Sequence, residues 1–234
     1  DHNTAALAAA NANIVLPTGR KTQALPSPHE LRQQLPLSAE LARRVQQQRE
    51  QVRAILSGED SRLLVVVGPC SIHSIEEALE YAKRLAKLSS QVSEHMLLAM
   101  RIYIEKPRTT VGWKGLLYDP HLDGSADMAQ GLHMSRQLML RMLELGLPVA
   151  TELLQPLAAS YFDDLLSWAA IGARTSESQI HREMVSGLEL PVGFKNGTDG
   201  SVGIALDAMR SAAHAHQHFG LDQQGRAALV ETQG

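Results

Sequence analysis

The sequence predicts an α/β fold of the TIM-type (β/α)8 barrel kind, with about five βα units and a β-hairpin present behind an N-terminal extension. Three observations lead there. From residue 63 onward, short apolar runs alternate with segments of helical period, the mark of βα units around a parallel sheet. The runs are continuous rather than alternating, as in strands covered on both faces. Each run also hands over to a charged or reactive group near its C-terminal end. A barrel builds its site at that face from several strands, whereas a doubly wound sheet gathers its ligand at one switch point.

Residues 1–37 read as an irregular arm rich in Ala, Asn, Gln and Pro, with Pro17, Pro26, Pro28 and Pro36 interrupting any period. Ala5–Ala10 is too short for a secretory signal and no basic residue precedes it. Residues 38–234 are expected to form the incomplete barrel domain. Its first helix starts at the N-cap Ser38, places Leu41, Val45, Val52, Ile55 and Leu56 on one face, and stops at Gly58. Leu63–Val67 is the first strand, expected to be buried on both faces. Ser74 to Glu77 forms a capping box, and the helix behind it turns Ile75, Leu79, Ala82 and Leu85 inward. Leu97–Ile104 is the second strand. A glycine-spotted loop from Pro107 to Gly124 leads to a helix with Met128, Leu132, Ser135, Met139 and Met142 on one face. Three further units follow: strand Pro148–Leu153 with helix 157–167, strand Ala169–Ala173 with helix 176–185, and strand Pro191–Lys195 with helix 201–213. The runs 216–221 and 227–232, around Gln223-Gln-Gly225, form a hairpin.

Composition excludes several classes of function. The 22 Lys and Arg against 25 Asp and Glu give a net charge of −3, so there is no electrostatic case for nucleic acid. No uncharged apolar run approaches the roughly 18 residues of a membrane span. One cysteine excludes an intrachain disulfide and fits a reducing, cytoplasmic setting. Five units of roughly 30 residues fall short of the roughly 250 residues of a typical eight-unit barrel. About three units are therefore expected beyond Gly234, with inner strand faces and a sheet edge exposed in this chain.

The chemistry sits at the strand ends. The first strand ends in Gly68-Pro-Cys70-Ser71, and the second contains Arg101 and runs into Glu105-Lys106-Pro107-Arg108-Thr109. The third carries Glu152, the fourth leads to Ala173 and Arg174, and the fifth ends at Lys195. Any one of these cations could pair with a carboxylate on a solvated rim at little gain. Five at equivalent positions, with Glu105 and Glu152 as local compensation, imply an anionic ligand with more than one acidic group. Arginine forks suit phosphate and carboxylate oxygens, and lysine supplies a point charge. Gly197, Gly200 and Gly203 match no phosphate-loop spacing and read as a turn. His214, His216 and His218 read as surface histidines before a metal tract. Cys70 stands open between an inert thiol and a metal ligand or nucleophile.

Four segments are recognisable: Gly68-Pro-Cys-Ser-Ile-His73, the run from Arg101 through Lys106-Pro-Arg-Thr-Thr110 to Gly115, Ile171-Gly-Ala-Arg-Thr175, and Gly193-Phe-Lys-Asn-Gly-Thr-Asp-Gly200. Together they resemble the type I 3-deoxy-D-arabino-heptulosonate 7-phosphate (DAHP) synthases, the aromatic-amino-acid-regulated class, from about residue 38 onward. The resemblance implies condensation of phosphoenolpyruvate with erythrose 4-phosphate and water to DAHP and phosphate, the first step of the shikimate pathway. It implies that Arg101, Arg174 and Lys195, with Glu152 and the backbone of Ala173, hold phosphoenolpyruvate. Lys106 would stand between the substrates as proton donor to the aldehyde oxygen, with Lys106 and Glu152 as the catalytic pair. Arg108 and Thr109 would clamp erythrose 4-phosphate. Cys70 would ligate a divalent metal ion (Mn, Fe, Co or Zn) that polarises the aldehyde. An aromatic amino acid inhibitor and a homo-oligomer, dimer or tetramer, are also implied.

The family's other metal ligands, a His, a Glu and an Asp, are expected beyond Gly234. Cys70 alone cannot hold a metal usefully. Residues after the third strand and around Ser186–Leu190 are expected to read the inhibitor, but Gln155-Pro156 and Glu189 do not rank Phe, Tyr and Trp. Three other readings stay open: a non-catalytic binding or oligomerisation fragment, the related 3-deoxy-octulosonate 8-phosphate synthase, and a phosphosugar aldolase with Lys195 as a Schiff-base lysine.

Overall fold

The structure, a computed structural model, describes Gly19 and residues 21–234. Its centre is one parallel sheet of five strands in chain order: β1 (Leu63–Val67), β2 (Met96–Arg101), β3 (Val149–Glu152), β4 (Trp168–Ile171) and β5 (Val192–Phe194). Each strand pairs with its successor in parallel, Val65 opposite Leu98, Arg101 opposite Ala150, Glu152 opposite Ala170 and Ile171 opposite Phe194. Helices return the chain between strands, and the sheet curls into part of a TIM barrel. The helices are α1 (Pro28–Gln34), α2 (Ala39–Ser57), α3 (Ile75–Val92), α4 (Met128–Glu144), α5 (Pro156–Phe162), α6 (Gln179–Ser186) and α7 (Gly203–Ala212). A separate antiparallel hairpin, β6 (Gln217–Leu221) and β7 (Ala227–Glu231), follows, as expected from its sequence. No described helix is long and apolar enough to cross a membrane.

The apolar core lies between the sheet and α3 to α6, with Leu98, Met100, Met139, Leu143, Val149 and Phe162 all within it. It fixes the strands, and so the strand ends, in space. Glycine secures one close approach: a Cβ at Gly131 of α4 would fall against the backbone carbonyls of Leu116 and Leu117.

Several boundaries differ from the sequence reading. The arm contains α1, whose Ser27 and Glu30 form a reciprocal capping box with Pro28 at the first helical position. Leu31 of α1 is fully buried, so this part of the arm is docked rather than irregular. The reading of residues 1–18 and 20 lies outside the described residues. On α2, with its N-cap Ser38 and its αL cap Gly58 as expected, the buried face is Val45, Gln48, Arg49 and Val52. Leu56 is instead 58% exposed, while Arg49 on the buried face donates to the Leu166 carbonyl at 2.8 Å. At Ser74 the hydroxyl accepts from the Glu77 amide, while the Glu77 carboxylate faces His73 at 3.3 Å. β1 is half-buried, with Leu63 62% exposed, since β2 is its one partner in the sheet. The helix expected over 157–167 ends at Phe162 in a 3-10 turn, Asp163–Leu165, where Arg32 and Arg136 draw Asp163 and Asp164. α6 begins at Gln179, capped by Ser178, because Ser176 is committed to the carbonyls of Gly172 and Lys195.

Candidate active site at the C-terminal edge of the sheet

The parallel sheet aims every strand's C-terminal end at one edge, and the strand-end residues meet there. Arg101, the last residue of β2, donates from Nη2 to the Cys70 carbonyl at 2.8 Å. Its guanidinium lies 3.6 Å from the centre of the Tyr103 ring, a cation–π stack that fixes the plane of the fork. The Arg101 Nε is buried without a hydrogen-bond partner. Lys106 Nζ stands 4.0 Å from Cys70 Sγ. From the other side of the sheet, Lys195 Nζ lies 5.5 Å from the same Tyr103 ring and forms an ion pair with the Glu152 carboxylate. Cys70, Arg101, Lys106, Glu152 and Lys195 therefore form one linked group, assembled from β1, β2, β3 and β5.

Local structure holds these groups in place. Ser176, in the turn ahead of α6, donates its hydroxyl to the Lys195 carbonyl at 2.7 Å and fixes the end of β5. Gly172, directly after β4, leaves room for Glu152, since a Cβ there would lie 2.5 Å from Glu152 Oε1. Gly68 does the same for β2, its notional Cβ falling 2.7 Å from the Arg101 carbonyl.

Arg108, Thr109 and Arg174 are exposed and lie outside that linked group. Arg108 donates from Nε to the Trp113 carbonyl at 2.9 Å and so belongs to its own loop. Ala173, beside Arg174, is half-buried. Gly197 and Gly200 spend their amides on the Ser201 and Gly197 carbonyls, which makes them the turn that their spacing suggested. His216 contacts the Ser211 carbonyl and His218 that of Phe219.

Among the described residues, no three His, Cys, Asp or Glu side chains come together to hold a metal ion. Cys70 is exposed and its thiol faces a lysine ammonium. The residues present do not fit a divalent cation, which needs several donors around it.

Sequence reasoning missed Tyr103 as a participant and gave Glu105 no role beyond local charge compensation. Arg101, Tyr103 and Glu105 alternate along one chain segment, so the two-residue period of extended backbone would have placed all three on one side. Glu105 is 4% exposed, and its two oxygens accept from the amides of Leu154 and Gln155 at 3.0 and 3.1 Å. Burial pushes its pKa up to about 7, against the pull of those two amides and a hydrogen bond from Tyr118. The Tyr118 hydroxyl is pushed up to about 12 by its own burial and by the Glu105 charge.

Comparison with known proteins follows the same strand ends. Residues 37–231 match the model of the DAHP synthetase I family. The Tyr-sensitive phospho-2-dehydro-3-deoxyheptonate aldolase of Escherichia coli is 54% identical over 212 residues, which cover 91% of this chain and 60% of that protein. The Trp-sensitive enzyme of the same organism is 49% identical over 92% of this chain and 62% of its own. A solved structure of the phospho-2-dehydro-3-deoxyheptonate aldolase of Francisella tularensis superposes with a TM-score of 0.90 at 43% identity, covering 92% of this chain and 63% of that one. The chain thus spans about 60% of the length of the curated relatives it matches.

Proposed function

This chain belongs to the DAHP synthetase I family, and we propose that its sheet edge forms the substrate-binding part of a DAHP synthase. The reaction would join phosphoenolpyruvate to erythrose 4-phosphate, add water and release phosphate. The observation that carries this reading is the meeting of Arg101, Lys106 and Lys195 around Tyr103 and Cys70 at the strand ends.

Each residue has a task in that reaction. Arg101, held flat on Tyr103 with a buried Nε unspent, offers its fork to the phosphate or carboxylate of phosphoenolpyruvate. Lys195 supplies a second positive charge, exchanging Glu152 for the ligand, and Arg174 with the backbone of Ala173 lies beside it. Lys106 delivers a proton to the aldehyde oxygen as the new carbon–carbon bond forms. Arg108 and Thr109, on the loop above, take the phosphate of the sugar. The cluster of fixed cations also favours the charge that develops as inorganic phosphate leaves. The resemblance implies a divalent metal at Cys70; the described residues do not supply its donors, and no step is routed through it. Lys195 is engaged by Glu152, which argues against a neutral Schiff-base lysine.

A cavity of about 200 Å³ between α5, α6 and the hairpin, lined by Leu157, Met184, Phe219 and Val230, supports the reading of an aromatic amino acid inhibitor. The names of the Tyr- and Trp-sensitive relatives point the same way. Phe219 and Leu229 expose apolar surface on that hairpin, which favours a homo-oligomer. The single cysteine fits a cytoplasmic enzyme.

The test is ligand binding and turnover on this chain. Calorimetry is expected to show phosphoenolpyruvate binding that Arg101→Ala and Lys195→Ala each weaken. Consumption of phosphoenolpyruvate with arabinose 5-phosphate but not erythrose 4-phosphate would overturn the reading in favour of the octulosonate relative. Substrate binding without turnover would support the non-catalytic fragment.

A further inference from the structure

We propose that Glu105 is a positioning residue for the phosphosugar half of the site, its carboxylate anchoring the neck of the loop that carries Arg108 and Thr109 to the turn that follows β3. This inference rests on the reading of Arg108 and Thr109 as the phosphate clamp. The loop closes on itself immediately beside Glu105. Lys106 donates its amide to the Lys114 carbonyl at 2.8 Å, and Leu117 donates to the Ile104 carbonyl at 3.0 Å. Gly115, at φ +109°, lets the returning limb lie directly against Ile104, where any Cβ would collide with its carbonyl. Those bonds shape the loop but attach it to nothing else.

Ile104, Leu116 and Leu117 seat the neck in the apolar core, and the Glu105 side chain is its polar attachment to the turn after β3. It points away from the loop and accepts the Leu154 and Gln155 amides, two residues beyond Glu152 and at the start of α5. The Leu154 carbonyl, the other side of that turn, is held by His181 Nε2 of α6 at 2.6 Å. The turn is thereby a fixed post, and Glu105 ties the phosphosugar loop to it. Two amide donors converge on two acceptor oxygens. A glutamine presents its NH2 donor to one of those amides, whereas a carboxyl keeps an acceptor on each oxygen.

The groups facing Glu105 are Tyr118 from the loop, Glu152 from β3, Lys106 as its neighbour in sequence, and His181 across the Leu154 peptide. Burial is the largest influence on the Glu105 carboxyl and brings its titration to about pH 7. Protonation there favours the buried carboxyl over a solvated one, so the anchor is expected to tighten on mild acidification.

Two measurements on the 234-residue chain test this. Hydrogen exchange without ligand should show the amides of Leu154, Gln155 and Lys106 protected at pH 8, and Glu105→Gln should lower that protection about tenfold, the loss of one charge-assisted bond. In calorimetry at pH 8, Glu105→Gln should weaken erythrose 4-phosphate binding about tenfold and leave phosphoenolpyruvate within about twofold, because only the sugar's loop is released. From pH 8 to pH 6 the wild type should lose sugar affinity more slowly than Glu105→Gln does, because protonation favours the buried anchor; the sugar phosphate's own titration is common to both. Unchanged protection, equal loss of both substrates, or the same acid limb in the variant would each overturn the proposal. If the variant does not fold, the wild-type exchange pattern at pH 8 and pH 6 decides it alone: equal protection factors at both would overturn it. A wild type that binds neither substrate while Glu105→Gln still loses protection would remove the substrate reading and the phosphosugar role with it, leaving a loop anchor only.

Discussion

Arg136 is fully buried in α4, and removing its partner Asp164 is expected to be strongly destabilising. The guanidinium makes a two-pronged pair with Asp164, Nη1 to Oδ1 at 2.8 Å and Nη2 to Oδ2 at 2.9 Å. Its remaining bonds run to the Leu35 carbonyl at 2.8 Å and the Tyr161 carbonyl at 3.1 Å. One side chain thus joins the end of α1, α4 and the 3-10 turn after α5. Asp164→Ala strands a buried positive charge with two donors facing a void, a loss of about 3–5 kcal/mol. For a chain of this size that lowers the melting temperature by roughly 6–20 °C. Arg136→Met is gentler, because Asp164 is partly open to solvent and retains Arg32 at 3.8 Å. The double variant Arg136→Met/Asp164→Ala should therefore be more stable than the sum of the two losses, the signature of a coupled pair. Urea unfolding followed by circular dichroism gives all three values. A loss below about 1 kcal/mol for Asp164→Ala, within the range of an exposed ion pair, would refute the argument.

Three further predictions concern the site. Burial raises the folded pKa of Glu105 above its ordinary value of 4.5, to about 7. A raised carboxyl favours the folded state when protonated, so that contribution is full below pH 4.5 and is lost as pH rises through 7. Wild type should lose about 3 kcal/mol relative to Glu105→Gln between pH 4.5 and pH 8, and a pH-independent difference in urea unfolding would contradict this. Gly172→Ala should push Glu152 away from Lys195 and alter phosphoenolpyruvate affinity in calorimetry while the far-ultraviolet circular dichroism stays unchanged; unaltered affinity would show that Glu152 can retreat without consequence. Glu152→Gln should free Lys195 and tighten inorganic phosphate binding about threefold at low salt, whereas weaker binding would mean that the carboxylate orders the lysine rather than competes with the anion.

The order of the strands and the residues at their ends were legible because both are written locally. A five-residue apolar run such as Leu63–Val67 announces a strand, and Gly68-Pro-Cys70 announces its end. Helix limits were less legible where a distant partner decides them. Arg49 and Arg136 reach across more than 20 residues to carbonyls and carboxylates around Asp163, and those bonds, not propensity, break the helix after Phe162. α1 was overlooked although its Ser27 and Glu30 repeat the signal accepted at Ser74; the prolines that seemed to forbid order include the one that begins the helix. Glu105 was read for its charge alone, because a carboxylate beside a lysine looks like a neutraliser. Its burial against two backbone amides depends on where β3 ends, which the sequence near residue 105 does not contain.

The charge argument itself changes once the partners are known. Read as sequence, the five cations appear to be compensated by Glu105 and Glu152. Among the described residues only Lys195 of the five lies within ion-pair distance of a carboxylate. Glu105 turns away to amides and is only partly ionised near neutral pH, so its neutralising effect is less than a full charge. Arg101 is oriented by a carbonyl and an aromatic face, with its Nε left without a partner, and Arg108 by a carbonyl; these dipoles orient a guanidinium without cancelling it. The edge of the sheet is therefore more positive than a count of its residues implies, on a chain that is negative overall. Cations oriented by dipoles rather than neutralised by carboxylates keep their full charge for an incoming anion, and they need little rearrangement to receive it.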